Sequence, residues 1–201
     1  MFKQRKLLWF PMRIRNSSIS RLQKLKELLD NDENVEATYV PMEFVRVKSD
    51  KMDFTPSLVN YIFVRSTFEK LKALKSEQEH FEPLRFVIHP VFDEKYERRN
   101  EVIYVPDKKM NDFMLVTAKA NDKVILLDNL EYACKPSQGV QIIEGQFTGV
   151  IGRVKRIQGN KCVVIPIKDT AAVAILNMPR RHLRYLSDEE MAELEQASDE
   201  A

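Results

Sequence analysis

The chain has 201 residues, 44% of them hydrophobic, and a net charge of +2, and no apolar run reaches the roughly 18 to 20 residues of a membrane helix. That excludes wholesale disorder and a helical membrane span, and leaves room for one medium domain or two small ones. The basic start (Lys3, Arg5, Lys6) leads into only Leu7, Leu8, Trp9 and Phe10 before Pro11, so no leader is read and a cytoplasmic monomer is expected. Two cysteines, Cys134 and Cys162, and the histidines His80, His89 and His182 give no disulfide framework and no zinc-ligand spacing; no metal or cofactor is expected.

In chain order, residues 7–14 read as a strand of bulky apolar groups that Pro11 demotes to an edge or a bulge. Ser18 or Ser20 then caps a helix with Leu22, Leu25, Leu28 and Leu29 at helical spacing, ended by Asp30 and Asn31. Residues 35–47 make two short extended runs around Pro41, and 48–53 read as a hairpin loop. Residues 58–64 form a strand whose alternation places Val59, Tyr61 and Phe63 on one face and Leu58, Asn60, Ile62 and Val64 on the other. Both faces are mostly apolar, so each needs a cover.

A helix follows from Thr67 with Phe68, Leu71 and Leu74 inward, then a strand at 84–89. Asp107 is read as the cap of a third helix striped by Met110, Phe113, Met114 and Thr117, with Val105 stapling its start. This order fits a small α+β sandwich closing near Ala118, followed by a connector over 119–137 with strand character at 124–127. From Gly139 five short β runs (140–143, 150–157, 162–167, 172–175 and 182–186) imply a small barrel. Ser187 with Asp188, Glu189 and Glu190 resembles a capping box before an acidic, frayed end.

Charge is unevenly distributed. Residues 1–30 hold eight Lys or Arg against two acids, 145–186 hold eight against one, and 187–201 hold seven acids and no base. Basic surfaces suit polyanions, although each patch also reads as an ordinary solvated face. No Gly-rich phosphate loop, metal-ligand spacing or nucleophile elbow is present, and Asp107 reads as a helix cap; no enzymatic activity is expected.

The densest signal is residues 144–154, Glu-Gly-Gln-Phe-Thr-Gly-Val-Ile-Gly-Arg-Val, where Gly145, Gly149 and Gly152 are three of only five glycines in the chain. Such concentration in one turn, with Phe147 between the first two of these glycines, implies positive φ or close strand approach. The pattern resembles the KOW motif, and the stretches Trp9-Phe10, Pro41, residues 58–64 and residues 105–110 resemble successive landmarks of the amino-terminal domain of the NusG family. The Asn-Tyr-Ile-Phe-Val run is closer to specialised paralogues of the RfaH and capsule-operon antiterminator type than to the general factor, with Val59 where that pattern often has proline.

The resemblance implies an NGN α/β sandwich over 1–118, a linker over 119–137, an SH3-like KOW β-barrel over 138–187 and an acidic tail over 188–201. It also implies docking on the β′ clamp helices of bacterial RNA polymerase, with Tyr61 and Phe63 at the aromatic positions and Phe10 bordering the surface. The strand pattern alone leaves open whether these rings meet a partner or fill the core, and Trp9, Met110 and Met114 read as core. Arg13 and Arg15 are candidate weak contacts to nucleic acid or exposed solubilising charges. The function implied is transcription elongation and antitermination on specific operons, with the barrel recruiting a small ribosomal subunit protein or a termination factor. The rival is an RNA-binding, ribosome- or translation-associated KOW protein using Arg153, Lys155, Arg156 and Lys161.

Overall fold

The computed structural model describes residues 6–47, 51–56, 58, 60–92, 98–119, 123–127, 137–157, 159–167 and 170–200. Val59 and Cys134 lie outside them, as does most of the expected connector. The chain divides into two compact units, 1–40 with 56–105 and 41–55 with 106–201.

The first unit is built on a four-stranded antiparallel sheet in the order β2 (Ala37–Tyr39), β5 (Tyr61–Ser66), β1 (Leu8–Ile14), β6 (Leu84–Phe86). Helix α1 (Ile19–Asp30) starts at Ser18, whose hydroxyl accepts from Arg21 N–H at 3.2 Å, and α2 (Phe68–Glu77) starts at Thr67, which does the same for Lys70 N–H at 3.3 Å. Their leucines Leu22, Leu25, Leu29, Leu71 and Leu74 join Leu8, Phe10, Met12, Ile14, Ile62 and Val64 in one core. All the β1 members are even-numbered, so this core covers a single face of the sheet.

Pro11 does not push β1 to an edge: the strand is central, between β5 and β6. Odd residues of β1 turn their backbone polar groups away from β5, since Val105 N–H donates to the Trp9 carbonyl whereas Ile14 N–H reaches Asn60 O. The missing N–H of Pro11 therefore falls on the side where β6 pairs only with residues 12–14, and no ladder bond is lost. The strand expected at 58–64 begins at Tyr61, after a turn in which Tyr61 N–H donates to Leu58 O at 3.2 Å. The run expected at 84–89 is two strands, the second of which, β7 (Ile88–Phe92), forms a ribbon with β8 (Arg98–Val102).

The second unit contains the hairpin β3 (Met42–Val47) and β4 (Lys51–Pro56), helix α3 (Asp107–Ala118), and a six-stranded antiparallel sheet. The sheet order is β14 (Leu183–Tyr185), β10 (Gly139–Ile142), β11 (Ile151–Ile157), β12 (Asn160–Ile167), β13 (Ala171–Leu176), β9 (Val124–Leu127). The five expected β runs are all strands, and 124–127, expected as connector, is a sixth that pairs along β13 from Ala172↔Leu127 to Ile175↔Val124.

Two capping expectations part ways. The cap of α3 is Pro106, with Asp107 already in the first helical turn, where a carboxylate favours the helix dipole; the proline suits this start because its fixed φ of −59° needs no N–H. At α4 (Asp188–Glu200) the capping box is complete: Glu190 N–H donates to Ser187 Oγ at 3.1 Å and Ser187 N–H to Glu190 Oε2 at 2.8 Å. The acidic end expected to fray is thus a helix, and its Met191 is buried over Gly139. Among the described residues, no helix is long and apolar enough to cross a membrane.

Candidate functional site

The register of the first sheet decides which aromatic side chains share a surface. Phe63 lies opposite Pro11 and Tyr39, Tyr61 opposite Arg13, and Phe10 opposite Val64. Directly opposed residues point to the same face, so Tyr61 and Phe63 share one face and Phe10 points to the other. Phe10 is 3% exposed and packs on Phe86 edge-on at 6.1 Å and on Phe68 at 6.4 Å. The expectation that Phe10 borders the contact surface is therefore corrected: neighbouring strands bring Pro11, not Phe10, beside Phe63.

Tyr61 and Phe63 also differ from each other. Phe63 has 0% exposure and Trp9 5%, whereas Tyr61 is half-buried. Of the aromatic pair, Tyr61 alone keeps appreciable solvent exposure.

Beside Tyr61 the sheet assembles cations. Arg13 is opposite Tyr61 on β5 and opposite Arg85 on β6, which sets Tyr61, Arg13 and Arg85 in a row across three strands. Arg13 and Arg15 are both exposed, as a nucleic-acid contact would need. Arg85 is held in place by Glu82: its Nη2 bonds Glu82 Oε1 at 2.6 Å and its Nη1 bonds the Glu82 carbonyl. The guanidinium keeps the exposed Glu82 carboxyl below its usual range, so that arginine's charge is largely answered. Sequence reasoning missed Arg85 because its position beside Arg13 follows from the β1–β6 register, which no local pattern encodes.

The glycine cluster of the second unit has the backbone expected of it. Gly145 has φ +93° and Gly149 φ +90°, both in the left-handed region. Gly152 instead permits close approach, because a Cβ there would stand 2.8 Å from both Val163 Cγ1 and the Val164 carbonyl oxygen. Phe147 is 4% exposed, inside the turn, and Gly149 N–H closes it on Ile142 O at 2.7 Å. Helix α3 lies against this turn. Lys119 Nζ donates to Gln146 O at 2.9 Å, and Asp112, 8% exposed, takes Lys108 Nζ at 2.5 and 2.6 Å.

The four basic side chains proposed for phosphate contact divide between two faces. Along β11 and β12, Arg156 pairs with Lys161 and Lys155 with Cys162, so Arg156 and Lys161 share one face while Arg153 and Lys155 point to the other. Arg153 also donates to Ser137 O at 3.2 Å. Cys162 is buried, and burial raises its thiol pKa, which suits a packed thiol rather than a nucleophile. Among the described residues no three His, Cys, Asp or Glu side chains stand together in a way that would hold a metal ion.

Neither a known protein family nor a curated protein matches the sequence. Among solved structures, one described as "Domain interaction in Thermotoga maritima NusG" is similar at 15% identity, over 90% of this chain and 98% of that one, with a TM-score of 0.43.

Proposed function

We propose that this protein is a NusG-like regulator of transcription elongation that binds the β′ clamp helices of RNA polymerase through the sheet face carrying Tyr61, and suppresses pausing or termination on specific operons. The observation that carries the reading is the row Tyr61, Arg13, Arg85: a half-buried tyrosine next to an exposed cation, on a sheet whose opposite face is already filled by α1 and α2. Aromatic side chains bordered by arginine are the composition of protein-contact hot spots. Phe63 lies behind Tyr61 on the same face and fixes the strand that presents it. Arg13 and Arg15 supply a weak, salt-sensitive contact to nucleic acid beside the protein contact. No bond is made or broken; the action is that of a clamp.

In this reading residues 1–118 act as an NGN domain and 138–187 as an SH3-like KOW barrel, whose turn at Gly145, Phe147, Gly149 and Gly152 shapes the surface offered to a small ribosomal subunit protein or a termination factor. In vitro transcription with purified polymerase tests it. The wild-type chain shortens pauses and Tyr61→Ala does not. Pausing unaffected by the wild-type chain, together with association of the chain with ribosomes, replaces this reading with that of an RNA-binding, translation-associated protein.

A further inference from the structure

The second unit carries a cleft of about 470 Å³ lined by Val154, Lys155, Arg156, Lys161 and Arg180. Its three cations Arg156, Lys161 and Arg180 come from β11, β12 and the short 3-10 turn Arg180–His182, so elements distant in sequence converge on it. Lys155 also lines the cleft, although strand alternation sets it on the face of Cys162, opposite to Arg156 and Lys161. At the rim stands Tyr185, 40% exposed. Its phenol oxygen accepts from Lys161 Nζ at 3.1 Å, the same ammonium lies 5.7 Å from the ring centroid, and Arg180 also reaches the phenol.

These cations are not neutralised. Neighbouring basic groups have acidic partners: Arg184 bonds Glu190 at 2.9 Å, and His182 stands 3.3 Å from Glu144. Among the described residues, Arg156, Lys161 and Arg180 have no carboxylate in ion-pair reach. Like charges brought together around a cleft repel one another, and a bound anion relieves that repulsion. The bonds to Tyr185 hold Lys161 and Arg180 in place before any ligand arrives, which reduces the side-chain ordering that binding would otherwise require.

We propose that this cleft is a binding site for the phosphodiester backbone of a single nucleic-acid strand, with Arg156, Lys161 and Arg180 as phosphate contacts and Tyr185 as the residue that positions two of them. Phosphate oxygens match guanidinium and ammonium donors, and a cleft of this size admits about one nucleotide. An exposed aromatic at the rim suits a strand whose unpaired bases have free faces. The proposal does not rest on the polymerase reading, and its test contains no polymerase.

The test uses the full chain and a fluorescent single-stranded oligonucleotide, with affinity measured against salt. Lys161→Ala/Arg180→Ala is expected to weaken binding by about tenfold per cation and to lower the salt slope by about 1.4, at ~0.7 for each phosphate no longer neutralised. The control Lys24→Ala/Lys72→Ala removes the same charge from exposed helix positions and leaves both values near wild type. Equal losses in the two pairs, or no binding by the wild-type chain at low salt, overturn the proposal. Tyr185 gives a second readout without touching a cation. Hydrogen bonds from Lys161 and then Arg180 hold its phenol pKa below the ordinary value, so a bound strand that draws off those charges raises it. The titration component missing in Tyr185→Phe reports this shift; an oligonucleotide that binds without moving it refutes the site, and inorganic phosphate moving it equally refutes the strand as ligand.

Discussion

Replacing Phe63 and replacing Tyr61 should have different consequences, although the two stand on one sheet face two residues apart. Phe63 has 0% exposure, and truncating a fully buried phenylalanine costs about 3 to 5 kcal/mol through lost transfer energy and the cavity left behind. Tyr61 is half-buried, so Tyr61→Ala forfeits only part of its burial, on the order of 1 to 2 kcal/mol. The single tryptophan, Trp9, is 5% exposed on the adjacent strand and makes its fluorescence a reporter of this unit. In urea titrations followed at Trp9, Phe63→Ala should shift the midpoint strongly and lower the melting temperature by on the order of ten degrees. Tyr61→Ala should keep most of the wild-type midpoint. Phe63→Ala within about 0.5 kcal/mol of wild type would refute the burial argument. If it holds, Phe63→Ala tests the fold, and Tyr61→Ala is the clean probe of docking.

Two further outcomes follow from backbone geometry and capping. Gly149→Ala meets open space but must hold φ +90°, a strain of about 1 to 2 kcal/mol, whereas Gly152→Ala forces its Cβ against Val163 and the Val164 carbonyl for about 1 to 3 kcal/mol. In a double-mutant cycle Val163→Ala should recover part of the Gly152→Ala loss and none of the Gly149→Ala loss; equal recovery would discredit the assignment of two different roles. Ser187→Ala should destabilise α4 by about 1 kcal/mol, seen as faster amide exchange in its first turn. The carboxyl of Glu190 is held below its usual range by the Ser187 N–H and then Arg184. Its folded pKa lies below the unfolded value, so its contribution is present above the unfolded pKa and is lost as pH falls through the folded one. NMR titration of Glu190 at an ordinary glutamate pKa would contradict the capping box.

What was legible in the sequence is what local chemistry determines. Ser18 and Thr67 cap as their types require, Leu22, Leu25 and Leu29 face one core, and the glycines at 145, 149 and 152 have the two backbone roles their clustering implied. What was missed depends on register and long-range pairing. The strand character at 124–127 was legible locally, but its membership of the second sheet follows only from its pairing with β13, over forty residues later. The ribbon strand Arg98–Val102, with Arg98, Arg99, Asn100 and Glu101 exposed, has no apolar alternation to announce it. Adjacency of strands, taken without its one-residue offset, groups Phe10 with Tyr61 and Phe63, and an offset of one reverses the face. The basic cleft was half visible: Arg156 and Lys161 stand out as charges, but Arg180 and Tyr185 join them only through folding.

In the proposed function Tyr61 anchors the chain on polymerase. Equilibrium binding of the full chain to purified RNA polymerase tests this, comparing wild type, Tyr61→Ala and Lys161→Ala/Arg180→Ala, each checked by Trp9 fluorescence to be fully folded under the binding conditions. An anchor of about 2 kcal/mol predicts roughly 30-fold weaker binding for Tyr61→Ala, with the cleft variant near wild type. Wild-type affinity in Tyr61→Ala, or the loss appearing in the cleft variant instead, would rule out Tyr61 as the anchor.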